Sequence, residues 1–257
     1  MDLLIEKLRA ARRVTVLTGA GVSAASGVPT FRGASGMWKQ FRVEQLATPE
    51  AFARDPASVW EWYDWRRRLI AEAEPNDAHR VLARWEARFP DFTLVTQNVD
   101  GLHERAGSTR IVRYHGSIWR LRCAGVVAGL KACATQACAA DWEDLRAPLP
   151  SLPPTCPHCG ALARPGVVWF GEPIPAAAIR DSSRAAASCD VFLMIGTSAI
   201  VYPAAGLLHE AAYHGAFTAE INVEATDASP AVDLAIQGKA EKVLAEIDAR
   251  LEDQGTR

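Results

Sequence analysis

The stretch LTGAGVSAASGVPTFRG, residues 17–33, decides the fold. It overlaps VTVLT (14–18), whose β-branched residues predict a buried strand. Gly19, Gly21 and Ala24 follow with the G-x-G-x-x-A spacing of a dinucleotide-binding turn, in which small residues let backbone amides approach a pyrophosphate at a helix N-terminus. The stretch therefore predicts a strand, a glycine turn and a helix that together bind a nucleotide.

Further apolar runs are similar to this first strand. They lie at 92–96, 191–195 and 217–223, and helical patterns at 76–89 and 239–251 lie among them. Strands with little polar alternation, separated by helices, are typical of a parallel sheet that is covered on both faces. We therefore predict an α/β fold.

The composition of the 257 residues limits the class of protein. With 49% hydrophobic and 23% charged residues, the chain suits one large domain, or one domain and a smaller module. A formal charge of −2 gives no broad basic field, so we expect no nucleic-acid partner. The charged start MDLLIEKLRAARR has no long apolar run, so we expect no signal peptide, no membrane span and a cytoplasmic location. In that reducing compartment the six cysteines are expected to be thiols or metal ligands.

Polar residues follow the second predicted strand, in TQNVDGLHERAG (96–107). Ligands of open parallel sheets collect at the carboxyl ends of the strands, so Gln97, Asn98 and Asp100 are expected to face a crevice. The alternative for Asn98 is an Asx turn that caps the next helix.

A histidine follows another short predicted strand. In YHGS (114–117), His115 stands between IVRY and a glycine. A lone histidine is more often structural, but one at a strand end can act as a general base near neutral pH. The acidic residue that binds the ribose about 20 residues after a dinucleotide turn is not found, because KQFR (39–42) interrupts the expected strand. A hydride-transferring dehydrogenase is therefore disfavoured.

Six motifs occur in the order seen in the sirtuins, or Sir2 family, which are NAD-dependent protein deacylases. They are GAGVSAASGVPTFRG (19–33), TQNVDGLHERAG (96–107), HGS (115–117), VVWFGE (167–172), GTS (196–198) and IN (221–222). Six motifs in a fixed order are a specific match. The chain therefore resembles a sirtuin over nearly its whole length, from about residue 4 to residue 251.

The resemblance implies a Rossmann-type, doubly wound parallel sheet with a smaller insertion domain. The NAD-binding domain would comprise 1–27, 76–115 and 166–257. The smaller domain would combine a helical module, 28–75, with a zinc-binding module, 116–165. These modules match the stretches of sequence that break the alternation of strands and helices.

The resemblance also implies a reaction that consumes NAD as a cosubstrate. The acyl oxygen of an acylated lysine attacks the anomeric carbon of the nicotinamide ribose, nicotinamide leaves, and the acyl group passes to ADP-ribose. His115 would be the base that helps to remove a proton from a ribose hydroxyl, and Asn98 would be the second catalytic residue. The implied partners are acylated-lysine proteins or peptides, with Val168, Phe170 and Gly171 along the lysine tunnel.

The same resemblance assigns a set of residues to NAD. Phe31 would shield the ribose, and Arg32 would lie near the phosphates. The full implied set is Gly19, Ala20, Gly21, Ser23, Thr30, Phe31, Arg32, Trp38, Gln97, Asn98, Asp100, Gly196, Thr197, Ser198, Asn222, Val223 and Ala240.

The segment WEWYDWRRR (60–68) combines aromatic surface with positive charge. On a helix, Tyr63 and Arg66 are i and i+3 and project from the same face. This pair resembles the signature of the sirtuin branch that removes succinyl, malonyl and glutaryl groups, and Ala47 matches the small residue of that branch. The resemblance implies that guanidinium and phenol bind the distal carboxylate. A core Tyr63 with a solvated Arg66 is the alternative, and the three tryptophans are interpreted as packing residues.

The motif CPHC supplies Cys156 and Cys159 with the spacing of a zinc knuckle. The second pair is not another C-x-x-C. Cys123 falls where the family has its first ligand, whereas Cys133 and Cys138 lie beyond an apparent insertion. We favour Cys123 with Cys138 as the second pair of ligands. The alternatives are Cys133 with Cys138, the histidine of CPHC as a substitute ligand, or no metal site. Four thiolates leave no open coordination position, so the zinc would be structural.

Three functions from different classes fit these patterns. The first is a protein lysine deacylase that prefers acidic acyl groups. The second is a general deacetylase or an ADP-ribosyltransferase with the same NAD geometry. The third is a non-catalytic sensor of NAD or ADP-ribose, which the presence of both His115 and Asn98 disfavours.

Overall fold

The computed structural model describes residues 1–30, 46–125 and 138–253. In chain order the described elements are α1 (Asp2–Ala10), β1 (Arg13–Thr18), a 3-10 helix (Ala20–Ser26), α2 (Pro49–Arg54), α3 (Pro56–Glu72), α4 (Asp77–Arg88), β2 (Asp91–Thr96), α5 (Leu102–Arg105), β3 (Ile111–Arg113), β4 (Gly116–Cys123), β5 (Asp141–Glu143), β6 (Ala163–Val167), α6 (Ala176–Ser188), β7 (Val191–Ile195), α7 (Gly206–Tyr213), β8 (Phe217–Asn222), a second 3-10 helix (Ser229–Ala231), β9 (Leu234–Gln237) and α8 (Ala240–Glu252). Each strand and helix predicted from apolar periodicity is present.

The larger sheet is parallel throughout and has the strand order β3-β2-β1-β7-β8-β9. The chain builds outward from β1 in one direction and then returns to build outward from β7 in the other. The order therefore reverses between β1 and β7, which is where ligands bind in open α/β sheets. This arrangement confirms the predicted Rossmann-type sheet.

Helices cover both faces of this sheet. Leu4 and Leu8 of α1, Trp85 of α4 and Leu244 of α8 join the core on one face. Residues of α6 and α7 pack with Phe192 of β7 on the other face. With both faces buried, the central strands are nearly continuously apolar, and this is why the sequence shows little alternation in them.

A second, antiparallel sheet has the order β5-β4-β6 and carries α2 and α3. Helix α3 begins after Asp55, whose side chain accepts a hydrogen bond from the Ser58 amide at 3.1 Å, and Pro56 occupies its first position. Two side chains join the helix to the sheet. Trp60 Nε1 donates to the Ala163 carbonyl at 2.8 Å, and the fully buried Arg67 donates to backbone carbonyls of β4 and of the segment after β5.

The domain division stays a prediction. The smaller sheet and helices α2 and α3 lie mostly within the ranges 28–75 and 116–165, but β6 crosses the predicted boundary at 165. Within the described ranges, no helix is both long and apolar enough to cross a membrane.

Candidate functional site

A cavity of 1020 Å³ opens at the carboxyl ends of β1, β2, β7 and β8 and extends to α3. This volume is at the upper end of the range of about 300–1,000 Å³ that is usual for ligand sites. The predicted site residues that line the cavity are Gly19, Ala20, Gly21, Ser23, Thr30, Ala47, Tyr63, Arg66, Gln97, Asn98, Asp100, His115, Val168, Phe170, Gly171, Gly196, Thr197, Ser198, Asn222, Val223 and Ala240. Phe31, Arg32 and Trp38 lie outside the described residues.

The glycine turn after β1 differs from its prediction in two ways. The helix that follows it, Ala20–Ser26, is a 3-10 helix. The amides of Gly19 and Gly21 donate to the carbonyls of Ile195 and Gly196, at 3.0 and 2.8 Å, so in this structure they pair with β7 and its loop. A Cβ at Gly21 would lie 2.7 Å from the Gly196 Cα. These glycines therefore allow two backbone segments to meet at the point where the strand order reverses.

Beneath the turn lies a buried chain of hydrogen bonds with a defined direction. The backbone amide of Asn76 donates to His79 Nδ1 at 3.2 Å, so the neutral imidazole of His79 carries its proton on Nε2. This Nε2 donates to Ser23 Oγ at 3.3 Å. Ser23 in turn donates to Asp100 Oδ2 at 2.8 Å. Asn98 Nδ2 reaches the Gly19 carbonyl at 3.0 Å, so the side chain of Asn98 joins β2 to the turn.

Burial shifts the pKa values of the ionisable members of this chain in the direction that favours their neutral forms. It lowers the pKa of His79 to about 4 and raises the pKa of Asp100, which accepts hydrogen bonds from Ser23 and the Leu102 amide. The ring of His103 packs against His79 with centroids 4.8 Å apart, and burial lowers its pKa well below the usual value. The region beneath the turn is therefore polar, but the lowered pKa values of His79 and His103 disfavour positive charge there.

Two features of the structure favour the neutral form of His115 and fix its tautomer. Its Nδ1 lies 3.0 Å from the Gln97 carbonyl oxygen, and because a carbonyl only accepts, Nδ1 must carry the proton. Nε2 is therefore left with its lone pair. Burial lowers the pKa of His115, which favours the neutral imidazole, although the hydrogen bond to the Gln97 carbonyl opposes this shift.

Side-chain amides fix the remaining strand ends. Gln97 Nε2 donates to Thr197 Oγ1 at 2.9 Å, and Asn222 Nδ2 donates to the Thr197 carbonyl at 2.8 Å. The loops after β2, β7 and β8 are thus joined to one another. We call this side of the cavity the sheet-edge wall; it consists of the turn after β1, these loops and His115.

Helix α3 forms the opposite side of the cavity. Trp62, Tyr63 and Arg66 face inward there, and Arg66 is only 9% exposed. The guanidinium carbon lies 4.8 Å from the Trp62 ring centroid and 5.7 Å from that of Tyr63. Burial lowers the pKa of Arg66, whereas Tyr63 and Asp100 act to raise it. Tyr63 and Arg66 therefore project from the same face of α3, as predicted, and the alternative of a solvated Arg66 is wrong.

The segment 167–172 completes this side. The Phe170 amide donates to the Ala47 carbonyl at 3.0 Å, and the Val168 amide donates to the His115 carbonyl at 2.9 Å. Trp169 lies between them, 2% exposed, and its Nε1 donates to the Tyr63 hydroxyl oxygen at 2.9 Å. We call Trp62, Tyr63, Arg66 and Trp169 the helix wall.

Sequence reasoning gave no role to three residues in or behind this site. His79 and His103 were present in predicted segments, but a histidine on an apolar face gives no sign of its partners. Trp169 lies inside a quoted motif without an assigned role. Trp62 was interpreted as packing; it belongs to the buried core and also lines the cavity beneath the Arg66 guanidinium.

Four cysteine thiols form a compact cluster away from the cavity. The Sγ atoms of Cys123, Cys138, Cys156 and Cys159 all lie within 4.8 Å of one another. Two of the separations are 3.5 Å, from Cys123 to Cys159, and 3.7 Å, from Cys138 to Cys156. A zinc ion with Zn–S bonds of about 2.3 Å requires tetrahedral edges of about 3.8 Å, so this donor set fits structural zinc. The four cysteines of the favoured set therefore lie together, whereas Cys133 lies outside the described residues, so the choice of Cys123 with Cys138 stays a prediction.

The parallel sheet, its reversal of strand order and the cavity at that point define a nucleotide-binding α/β protein with a thiol-rich metal module. The model of the Sir2 family matches residues 19–203, more than half of the chain. The chain belongs to the Sir2 family.

Individual relatives agree with this assignment. An NAD-dependent protein deacylase of Aquifex aeolicus is 48% identical over 227 residues, which cover 88% of this chain and 90% of the relative. A solved Sir2 homologue in complex with NAD is 40% identical with a TM-score of 0.88, covering 98% of this chain and 94% of that one. A solved Sir2 with a p53 peptide and NAD+ is 26% identical with a TM-score of 0.83, covering 100% and 99% of the two chains.

Proposed function

We propose that this protein is an NAD-dependent protein lysine deacylase that prefers acidic acyl groups, namely succinyl, malonyl and glutaryl, over acetyl. Deacylation with NAD is the activity named for its relatives. One observation carries the acyl preference: the buried guanidinium of Arg66 and the phenol of Tyr63 lie in the wall of the same cavity as His115.

The electrostatics of the helix wall favour an anionic ligand. Burial of a guanidinium carries a large desolvation cost, which the lowered pKa of Arg66 reports. A carboxylate in the cavity offsets that cost and accepts two parallel hydrogen bonds from the planar guanidinium. Each hydrogen bond to a charged group contributes about 1.5–3 kcal/mol, so a bidentate contact favours an acidic acyl group by about 10²-fold or more.

The sheet-edge wall supplies the chemistry common to every acyl group. The loops after β1, β2, β7 and β8, with the N-terminus of α8 at Ala240, bind NAD. His115 accepts the proton of a ribose hydroxyl at Nε2, while the Gln97 carbonyl holds Nδ1 and orients the ring. Nicotinamide leaves as the acyl oxygen bonds to the ribose, the ribose hydroxyl adds to the acyl carbon, and one water then releases free lysine and leaves the acyl group as an ester on ADP-ribose.

The segment 167–172 and Ala47 shape the passage for the acylated lysine. Val168, Phe170 and Gly171 border this passage, and Ala47 beside Phe170 leaves space for an acyl chain longer than acetyl. The Val168 and Phe170 amides already donate within the protein. The backbone amides of the substrate therefore donate mainly to the carbonyls of this segment.

A matched peptide panel tests the proposal. Peptides that differ only in the lysine modification, carrying acetyl, malonyl, succinyl, glutaryl or the uncharged succinamoyl group, are turned over with NAD and followed by mass. We expect kcat/KM for succinyl to exceed that for both acetyl and succinamoyl by about tenfold or more. Succinamoyl has nearly the shape of succinyl without its charge, so equal turnover of the two would reject recognition of the carboxylate.

A further inference from the structure

The hydroxyl of Tyr63 has a hydrogen bond that limits where its proton can point. Trp169 Nε1 donates to the Tyr63 oxygen at 2.9 Å, and both residues are 2% exposed. An indole N–H is only a donor, whereas a phenol has one proton and can also accept. The Tyr63 proton therefore cannot be shared with Trp169.

The geometry of a phenol restricts the direction in which the Tyr63 hydroxyl proton points. The hydroxyl proton prefers the plane of the ring, on one side of the oxygen or the other. Because the indole N–H donates to the oxygen, repulsion between the two hydrogens turns the hydroxyl proton away from the indole. A phenol that accepts one hydrogen bond is also a stronger donor of its own proton.

Two side chains contact the indole of Trp169, and a hydrogen bond holds its backbone. The guanidinium carbon of Arg164 lies 3.6 Å from the ring centroid on one face, and the Phe52 ring lies 5.3 Å away at a tilt of 41°. The Trp169 amide donates to Glu172 Oε2 at 2.9 Å, and Arg164 donates to both Glu172 oxygens, at 2.5 and 2.8 Å. The indole N–H therefore has little freedom to leave Tyr63.

We propose that Trp169 is a positioning residue for acyl specificity: its indole N–H turns the Tyr63 hydroxyl proton into the cavity, where the carboxylate of an acidic acyl group accepts it. This inference rests on the proposed acyl preference and extends it to a residue 106 positions away from Tyr63 along the chain. Burial also raises the pKa of Tyr63, so its phenol remains protonated and able to donate at neutral pH.

A double-mutant cycle tests the inference, with the ratio of kcat/KM for succinyl to that for acetyl as its readout. Tyr63→Phe is expected to lower this ratio about tenfold, and Trp169→Phe about fivefold, because each removes or misdirects one donor to a charged acceptor. In the Tyr63→Phe background, Trp169→Phe should change the ratio by less than about twofold. Multiplicative effects, or an unchanged ratio in Trp169→Phe, would overturn the role of Trp169.

Two controls separate this role from general packing. Trp60→Phe on the same helix removes another buried indole hydrogen bond, to Ala163, and is expected to lower the unfolding temperature without moving the ratio. Benzothienylalanine at position 169 replaces only the N–H of the indole with sulfur, and it should reproduce the Trp169→Phe ratio even if Trp169→Phe folds poorly. A native ratio with benzothienylalanine would reject the inference.

The measurements distinguish a failure of the proposed acyl preference from a failure of the role of Trp169. A wild-type protein that turns over acetyl and succinyl peptides equally rejects the proposed preference, and the role of Trp169 with it. A selective wild type with multiplicative mutant effects rejects the role of Trp169 alone.

Discussion

The sheet-edge wall and the helix wall face the same cavity but differ in how they treat charge. At and behind the sheet-edge wall, burial lowers the pKa of His115 and of His79, and hydrogen bonds have fixed directions, as in the chain from His79 through Ser23 to Asp100. On the helix wall, a whole positive charge, Arg66, lies among aromatic rings. Under the proposed function, the sheet-edge wall would handle proton transfer, and the helix wall would distinguish anionic from neutral ligands.

This difference separates turnover from selectivity. A change in the sheet-edge wall should affect every acyl group by the same factor, because each acyl group uses the same base and the same NAD. A change in the helix wall should affect acidic acyl groups far more than acetyl. The predictions below test that separation.

The largest effect is expected at the base. His115→Ala should lower kcat/KM by about 10²- to 10⁴-fold for acetyl and succinyl peptides alike, because the variant lacks the Nε2 that the proposal assigns as the proton acceptor. The measurement is single-peptide turnover at saturating NAD, with NAD affinity as the control for folding. Native turnover in this variant would reject His115 as the base.

Removal of one zinc ligand should lower turnover of the succinyl peptide, which depends on the helix wall, more than it lowers NAD affinity, which depends on the sheet-edge wall. The cysteine cluster joins the end of β4 to the segment before β6, and α3 packs on that sheet. Cys138→Ala should lose bound zinc and lower kcat/KM for succinyl about 10- to 100-fold, with NAD affinity changed by less than about threefold.

The remaining buried cysteine provides the control for that experiment. Cys189 lies in the core between α6 and β7, away from the cluster, so Cys189→Ala should retain its zinc and its selectivity. Zinc content by metal analysis and NAD affinity by calorimetry are measured on both variants. A Cys138→Ala protein that keeps full zinc content would contradict the proposed ligand set.

A smaller effect is expected at Ala47, which is 7% exposed in the cavity wall. Ala47→Leu fills space beside Phe170, and a penalty of about 1 kcal/mol that acts only on long acyl groups lowers the succinyl-to-acetyl ratio about fivefold. The ratio is measured together with the unfolding temperature. Equal losses for both peptides would show that the side chain only strains the core.

The smallest effect concerns pH. Burial lowers the pKa of His115 below its usual value of about 6.5, so the imidazole is a neutral base above its folded pKa and is protonated only below it. Turnover should therefore fall by less than about twofold between pH 7.5 and pH 6.5, equally for both peptides. An acid limb centred at or above pH 7 would contradict this shift.

Local patterns in the sequence were enough for the fold and for part of the site. Apolar runs placed five of the six strands of the larger sheet, all except β9, and the i, i+3 spacing placed Tyr63 and Arg66 on one face. Contacts between distant segments were not predictable in this way. The role of Gly21 depends on Gly196, which approaches it only because β7 returns to lie beside β1.

Hydrogen-bond direction is a second property that no motif contains. That Tyr63 accepts from Trp169 follows from the packing of α3 against β6 and the segment after it. The cysteines show the same limit, since two pairings of thiols were compatible with a zinc site from the sequence alone, and only the folded chain shows that Cys123 and Cys138 lie together.

Arg66 carries the central claim, and exchanging it for methionine is the most direct measurement of that claim. The ratio of kcat/KM for succinyl to that for acetyl is compared in wild type, Arg66→Met and Arg68→Met. Arg68 lies on the same helix, is 53% exposed and pairs with Asp64 at 3.3 Å, so its variant controls for lost charge. We predict that Arg66→Met lowers the ratio about 10²-fold and that Arg68→Met leaves it within about twofold. Equal losses for both peptides in Arg66→Met, or the same shift in Arg68→Met, would contradict the account.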